Sequence, residues 1–341
     1  MSHDGDKALR EKLAPYAKPS FPKSTFQLCN SLLLFIGTWI LMLFCLQYSY
    51  LLTLVSAFPA AGFLVRLFII QHDCGHASFF ASRVANNALG FMLGILTLTP
   101  YGYWRRTHAL HHKDSGKLEY RNFGEIYLLT VDEYHARSRW GRLRYRLYRH
   151  PLILLGLGPI YQFFVKHRLP IDMPCSWRRE WHSVHFTNLG IVVLSLAIVC
   201  LVGFKAYFLI QVPITLIAGV IGVWMFYVQH NFEDTYWRRR PEWTFDAAGL
   251  QGASFYDLPR WLHWFTGNIG VHHVHHLMFR IPNYNLMKAF RELRELHGVT
   301  RLKFWESLRC LNYKLWDEGR RKLVSFREAR LSRKRMTALA S

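Results

Sequence analysis

Uncharged apolar runs divide the chain. Residues 28 to 46 carry no charge over 19 positions, enough for a helix to cross a hydrocarbon core of about 30 Å. Residues 51 to 70 form a second run, interrupted by Pro59 and Arg66. The link between them, residues 47 to 50, holds no Lys or Arg. So short a link predicts an antiparallel hairpin, with Pro59 a kink that membrane helices tolerate. Residues 186 to 204 and 206 to 228 repeat the arrangement around Lys205, with Pro213 inside the last run. Between the hairpins, residues 86 to 99 and 151 to 165 are apolar but too short or too broken by Gly and Pro to cross. They read as re-entrant or interfacial segments. Residues 1 to 27 are polar and punctuated by Pro15, Pro19 and Pro22, and read as an N-terminal tail. Residues 288 to 335 read as helical with a basic stripe, and residues 297 to 341 as a basic C-terminal tail. The pattern predicts an all-α integral membrane protein. Four transmembrane helices in two hairpins, with interfacial helices and a cytoplasmic helical cap, occupy residues 28 to 296.

Charge orients this arrangement. The chain has 43 Lys and Arg against 22 Asp and Glu, a formal net charge of +21, yet is 51% apolar. A membrane protein with large cytoplasmic parts and a nucleic-acid binder both fit those totals. The apolar runs decide for the membrane, and no nucleic-acid partner is expected. Five of the basic residues precede residue 28, 16 fall in residues 72 to 185, and 20 in residues 229 to 341. Positive residues mark the cytoplasmic side. Both termini and the long middle segment are therefore expected in the cytoplasm, with only two short links on the other face. Arg66, inside a span, reads either as a snorkelling arginine near the interface or as an electrostatic group beneath a metal site. The six cysteines contain no C-x-x-C pair, so neither a zinc ribbon nor a disulfide framework is expected. Asp4, Asp6 and Glu11, and the long polar lead, argue against a secretory signal.

Histidine supplies the chemistry. Of 18 histidines, His72 and His76 stand at i, i+4 after the second run. His108, His111 and His112 stand at i, i+3, i+4 in the middle segment, and His272, His275 and His276 repeat that spacing after the fourth run. Each set falls on one stripe of a helix, with His273 turned about 100° away. Such stripes make poor core, because every ring carries a donor and an acceptor. An even number of crossings separates the sets, so all eight can meet on one membrane face. Eight ligands exceed one metal of ordinary coordination and suit two. Imidazole alone does not choose among Zn, Cu, Fe and Ni. The H-E-x-x-H of zinc proteases and the E-x-x-H of soluble di-iron bundles are both missing. Asp73 reads as an acceptor for an imidazole N–H. His273 reads as a hydrogen-bonding neighbour and the box histidine most tolerant of substitution. Asn268 reads either as a partner of a metal-bound water or as a helix cap, and His263 as a neighbour of the site or a surface residue. His182 and His185 read as interfacial structure.

The boxes H-D-C-G-H, H-x-x-H-H and H-x-x-H-H, in that order and separated by hydrophobic hairpins, resemble those of the membrane fatty acid desaturases. The phrase Thr266-Gly267-Asn268-Ile269-Gly270 before the last box, and Arg280-Ile281-Pro282-Asn283-Tyr284 after it, are similar to the bacterial acyl-lipid branch. The resemblance covers residues 35 to 296 and implies a non-haem di-iron centre, with the eight box histidines as ligands. It also implies a ninth ligand after the last span, where His230 stands. The implied reaction uses O2 to remove two hydrogens from adjacent CH2 groups of a lipid acyl chain, leaving a cis double bond and water. Selection of one C–C bond then requires a bent apolar tunnel. Tyr101, Tyr103, Trp104, Trp224, Phe226, Tyr227, Trp261, Trp264 and Phe265 stand near the boxes as its walls, or as an interfacial belt. No haem-attachment or dinucleotide motif is present. The resemblance thus implies a separate electron donor of ferredoxin or cytochrome b5 type, and location in a bacterial inner membrane.

Two other readings remain at this level. A related di-iron enzyme that hydroxylates or oxygenates a lipid, alkane or carotenoid would share the boxes. A metal-binding transporter would instead place ionisable groups near the bilayer midplane, and the spans here are nearly free of them.

Overall fold

The computed structural model describes residues 3 to 121 and 124 to 339. Residues 1, 2, 340 and 341 of the two expected tails lie outside the described residues. Among the described residues four helices are long and apolar enough to cross a membrane: α2 (Phe21–Cys45), α3 (Tyr50–Gly75), α9 (Arg178–Val202) and α10 (Phe204–His230). They form the two expected hairpins. The helix α1 (His3–Leu13) precedes them. Each terminus has a local cause. Ser49 starts α3 by accepting from the Leu51 N–H at 3.2 Å. The second hairpin turns at Gly203, whose φ of +86° is open to glycine and strained for other residues. That turn falls two residues before Lys205, so Lys205 sits in the first turn of α10 and not in the link. Pro59 and Pro213 are both accommodated inside their helices.

Burial separates the four helices. In its most apolar window α3 is 61% buried, against 17% for α2, 11% for α9 and 28% for α10. The central helix is α3, and its neighbours keep wide apolar faces outward, as a lipid solvent allows. The two non-crossing apolar segments are ordered helices. The first is α4 (Arg83–Leu96), which packs on α3 and α9. The second is the short α8 (Gly158–Ile160) between π-helical turns at Ile153–Leu157 and Tyr161–Lys166. Between α4 and α5 (Tyr101–Asp114), the Thr97 hydroxyl donates to Gln71 Oε1 at 2.5 Å and Gln71 Nε2 donates to Thr99 O at 3.1 Å. Tyr101 Oη donates to Cys74 O at 2.9 Å. These bonds lock the start of α5 to the end of α3.

At the histidine-bearing end, short elements form a cap. The chain runs through β1 (Leu129–Thr130), α6 (Val131–Ala136) and α7 (Arg139–Tyr148) before the second hairpin. After it come α11 (Phe245–Gln251), β2 (Phe255–Asp257), α12 (Arg260–Phe265), α13 (His272–Leu277) and α14 (Asn283–Glu292). The expectation of continuous helix over residues 288 to 335 does not hold: α14 stops at Glu292 and three strands follow. These are β3 (Arg301–Lys303), β4 (Leu315–Asp317) and β5 (Lys322–Val324). β3 pairs in parallel with β2, aligning Tyr256 with Leu302. β4 joins β1 in parallel and β5 antiparallel, aligning Leu315 with Leu129 and Val324. The strands are fixed by buried side chains such as Leu315, Trp316 and Val324, which the basic composition of the segment obscures.

The expected N-terminal tail is also part of the fold. Leu9 and Leu13 of α1 are buried in the cluster that holds Val274 and Leu277 of α13. Arg10 pairs with Asp246 at 2.5 Å, and Tyr16 Oη donates to Glu292 at 2.5 Å. An apolar pair four residues apart buries one face of a short helix despite its polar composition. Leu13→Ala is expected to lower stability by about 2–4 kcal/mol. Thermal unfolding in detergent would show this as a fall in Tm, whereas an unpacked tail would leave Tm unchanged.

Candidate metal centre

Four helix ends deliver nine imidazoles to one place. His72 lies in the last turn of α3 and His76 caps it. His108, His111 and His112 lie on α5, His230 is the last residue of α10, and His272, His275 and His276 lie on α13. The rings divide into two groups. His72, His76, His108, His112 and His275 form one, and His111, His230, His272 and His276 the other. Within each group the ligand atoms lie within 4.8 Å of one another. The i, i+4 pairs, His108 with His112 and His272 with His276, each stay in one group. The i+3 residues, His111 and His275, cross to the other. Each stripe therefore serves two centres. The groups adjoin, with the His112 and His276 ring centroids 4.4 Å apart.

The inward-facing atoms are Nε2. In the first group His76 and His108 approach at 3.0 Å, His108 and His112 at 3.1 Å, and His112 and His275 at 3.0 Å, all Nε2 to Nε2. In the second, His230 and His272 stand at 3.0 Å, His272 and His276 at 3.2 Å, and His111 and His276 at 3.3 Å. For three of the rings the outward nitrogen explains the orientation. Nδ1 of His72 donates to Asp73 Oδ1 at 3.3 Å, Nδ1 of His111 to Glu125 Oε1 at 2.8 Å, and Nδ1 of His230 to Gly252 O at 3.1 Å. A neutral ring whose Nδ1 holds the proton presents a lone pair at Nε2. Burial, reinforced by the neighbouring imidazoles, holds His76, His108, His112, His272, His275 and His276 well below the ordinary imidazole range, so they stay neutral.

These residues fit a pair of metal ions. Lone pairs converging at 3.0 to 3.3 Å repel one another, and a cation among them turns that repulsion into ligation. Two nitrogens each about 2.1 Å from one ion, at right angles, are separated by about 3 Å, which matches the approach distances. The donor set is nitrogen-rich, borderline in softness and buried.

The residues around the rings are sorted by their contacts. Asp73 contacts His72, as the sequence suggested, and its Oδ2 also accepts from the Asn283 N–H and Nδ2, both at 2.7 Å. Glu125 and Asn283 were missed by sequence reasoning. Asn283 belongs to the Arg-Ile-Pro-Asn-Tyr phrase, whereas Glu125 stands outside every box in a polar loop, with no local signal. Asn268 does not reach the rings: with φ of +57° it donates through Nδ2 to Asn283 O at 3.4 Å. His263 is buried, neither at the rings nor on the surface, and its Nε2 accepts from the Leu258 N–H at 3.2 Å. His273 does turn off the stripe, but into a core between Phe255 and Phe290, fully buried. Burial lowers its ring pKa to about 3. Its expected tolerance of substitution is incompatible with that packing.

The aromatic candidates divide in the same way. Trp104 stacks on His108 at 4.6 Å and touches His72 at 5.6 Å. Phe226 lies 5.2 Å from His111 and 5.1 Å from His230. Phe279, absent from the sequence reading, lies 5.2 Å from His76. Phe265 packs on Phe63 along α3, and Tyr101 closes the α3–α5 junction described above. Three others lead away from the rings. Trp224 Nε1 donates to Tyr256 Oη at 3.1 Å, and Tyr103 Oη to Asp172 at 3.4 Å. Tyr227 Oη donates to Cys310 O at 3.0 Å. Trp261 is 63% exposed, so it does not wall an enclosed tunnel.

The fold and this centre define a helical membrane protein with two adjoining histidine groups that could hold metal. The chain belongs to the fatty acid desaturase family, whose pattern it matches over residues 48 to 307. It is 46% identical over 321 residues to a fatty acid desaturase of Bacillus subtilis (strain 168), covering 94% of this chain and 91% of the relative. An sn-1 acyl-lipid omega-3 desaturase (ferredoxin) of Nostoc sp. (strain 36) is 29% identical, covering 68% of this chain and 64% of the relative. An sn-1 oleoyl-lipid 12-desaturase of Synechocystis is 28% identical, covering 69% and 66%. The protein is accordingly an oxidoreductase of a metal-dependent family.

Two substitutions separate the role of the rings from that of their surroundings. Glu125→Gln keeps the side-chain shape but removes the charge that orients His111, and is expected to weaken metal affinity about 10- to 100-fold. Chelator competition followed by metal analysis would measure it. His273→Ala is expected to cost about 2–4 kcal/mol of stability, while the folded fraction keeps the wild-type ratio of metal to protein. A lowered ratio in that fraction would instead put His273 among the ligands.

Proposed function

We propose that the chain is a di-iron, O2-dependent acyl desaturase that introduces a cis double bond into the acyl chain of a membrane lipid. The observation that carries this reading is the convergence of nine imidazoles, in two adjoining groups, at one end of four apolar helices. Names of relatives add support, since both cyanobacterial proteins are acyl-lipid desaturases. The nine histidines would hold the two irons, and Asp73 and Glu125 would fix the tautomers of His72 and His111. When bound, the iron pair supplies O2 activation. The balanced change is one CH2–CH2 unit, O2, two electrons and two protons to one CH=CH unit and two waters. Trp104, Phe226 and Phe279 form the apolar surroundings in which an unfunctionalised chain would be placed.

The electrons require a separate donor, for which a ferredoxin or cytochrome b5 type carrier is proposed; the Nostoc relative carries ferredoxin in its name. The distribution of Lys and Arg supports a cytoplasmic centre with both termini on that side, in a bacterial inner membrane. The test is expression in a host of known lipid profile with a working donor, followed by mass spectrometry that locates double bonds. The expected result is a new unsaturated acyl chain that His275→Ala abolishes. A hydroxylated chain in its place assigns the protein to the oxygenating branch.

A further inference from the structure

A cavity of about 350 Å³ lies beside the metal centre, within the size range of small-molecule sites. Its walls include Gln27 of α2, Arg66 of α3, Arg260 and Trp264 of α12, and Asn283 and Arg291 of α14. Three arginines line one space, and the lining contains no carboxylate. Among the described residues none of the three arginines forms an ion pair. Arg66 is buried and held only by neutral groups. Its Nε donates to Ser31 Oγ at 3.0 Å, its Nη1 donates to Trp264 O, and the guanidinium lies 4.1 Å over the Trp264 ring. A buried cation without a counter-charge is costly, and an anion in the cavity would offset that cost for Arg66 while remaining open to the exposed Arg260 and Arg291.

The histidine in the wall adds no counter-charge. His263 is buried, and its Nε2 accepts from the Leu258 N–H. The lining thus offers three cationic side chains and no anionic one.

Position identifies the class of anion. Arg66 lies inside α3, nine residues before its end at Gly75, and Gln27 lies in the first two turns of α2. Both stand where apolar helix gives way to polar cap, the level of lipid headgroups. Trp264 lines the cavity and is 37% exposed, and Trp261 on the same helix α12 is 63% exposed; indoles favour that level of a bilayer. The cavity also shares a wall with the metal centre, because Asn283 donates to Asp73, which accepts from His72. We propose that this cavity binds the phosphodiester of a membrane phospholipid, with Arg66, Arg260 and Arg291 holding the headgroup while an acyl chain extends to the histidine clusters. The proposal rests on the acyl-lipid reading above and deepens it by naming the form in which the chain arrives.

The test measures binding without turnover. Purified full-length protein in a neutral detergent is titrated with phosphatidylglycerol and, in parallel, with diacylglycerol bearing the same chains. Bound lipid is counted by native mass spectrometry. Phosphatidylglycerol is expected to bind at least about tenfold more tightly, from charge-assisted contacts to the phosphate. Arg260 and Arg291 are exposed at the mouth, so Arg260→Ala combined with Arg291→Ala is expected to abolish the preference while diacylglycerol binding and Tm stay unchanged. Equal binding of the two lipids by the wild type, or an unchanged preference in the double variant, overturns the proposal. Competition distinguishes the source of the phosphate. Displacement by equimolar oleoyl-CoA assigns the cavity to a soluble acyl carrier, and displacement by inorganic phosphate reduces it to a free-anion site; either overturns the phospholipid assignment. A wild type that binds phosphatidylglycerol but forms no double bond leaves this site standing and removes the desaturase reading. Desaturation without a binding preference does the reverse.

Discussion

Mutual repulsion of imidazole lone pairs is the constraint around which this end of the bundle is built. Nine imidazoles converge, eight of them with Nε2 at about 3 Å from a neighbour, and left to themselves such groups would turn away. The surroundings prevent it. Gln71 and Tyr101 tie α5 to α3. On the other side Gln229, next to His230, donates to Ile269 O, and its own carbonyl accepts from the Ser254 N–H. Those two bonds fix the end of α10 to the loop that launches α13. Asp73 joins α3 to α14 through Asn283. Each helix end that bears these histidines is thus anchored by a polar contact, within three residues of the ring on α3, α10 and α13 and at the start of the helix on α5.

Burial and charge then cooperate. The rings stay neutral because burial disfavours the imidazolium and because each neighbour would repel it. Negative groups enter only outside the ring cluster, as Asp73 and Glu125, where they set tautomers without occupying the inward face. The arginine-lined cavity shows the opposite balance within the same cap: cations gathered with no carboxylate among them. Polarity at this level of the molecule is sorted into separate compartments.

Much of the fold was readable from sequence because lipid is a simple solvent. A run of uncharged residues with a short link has few structural solutions, and both hairpins appeared where the pattern placed them. The box histidines were equally legible, since helical spacing alone brings His72 with His76, and His108 with His112, onto shared faces. The cap was harder. Leu9, Leu13, Leu315 and Val324 are buried among polar and basic neighbours, and their segments carry no period long enough to register. The contacts of His273 and Glu125 depend on residues distant in sequence: Phe255 and Phe290 for the first, and the geometry of His111 for the second. The division of each histidine stripe between two groups is likewise a property of how α5 and α13 face each other. Spacing within either helix does not contain it.

That division has a consequence for how the centre could ever change. Because α5 and α13 each contribute to both groups, the two groups share supports, although α3 serves only the first and α10 only the second. Deleting either of the last two boxes would take imidazoles from both groups at once, so neither group can be lost alone by that route.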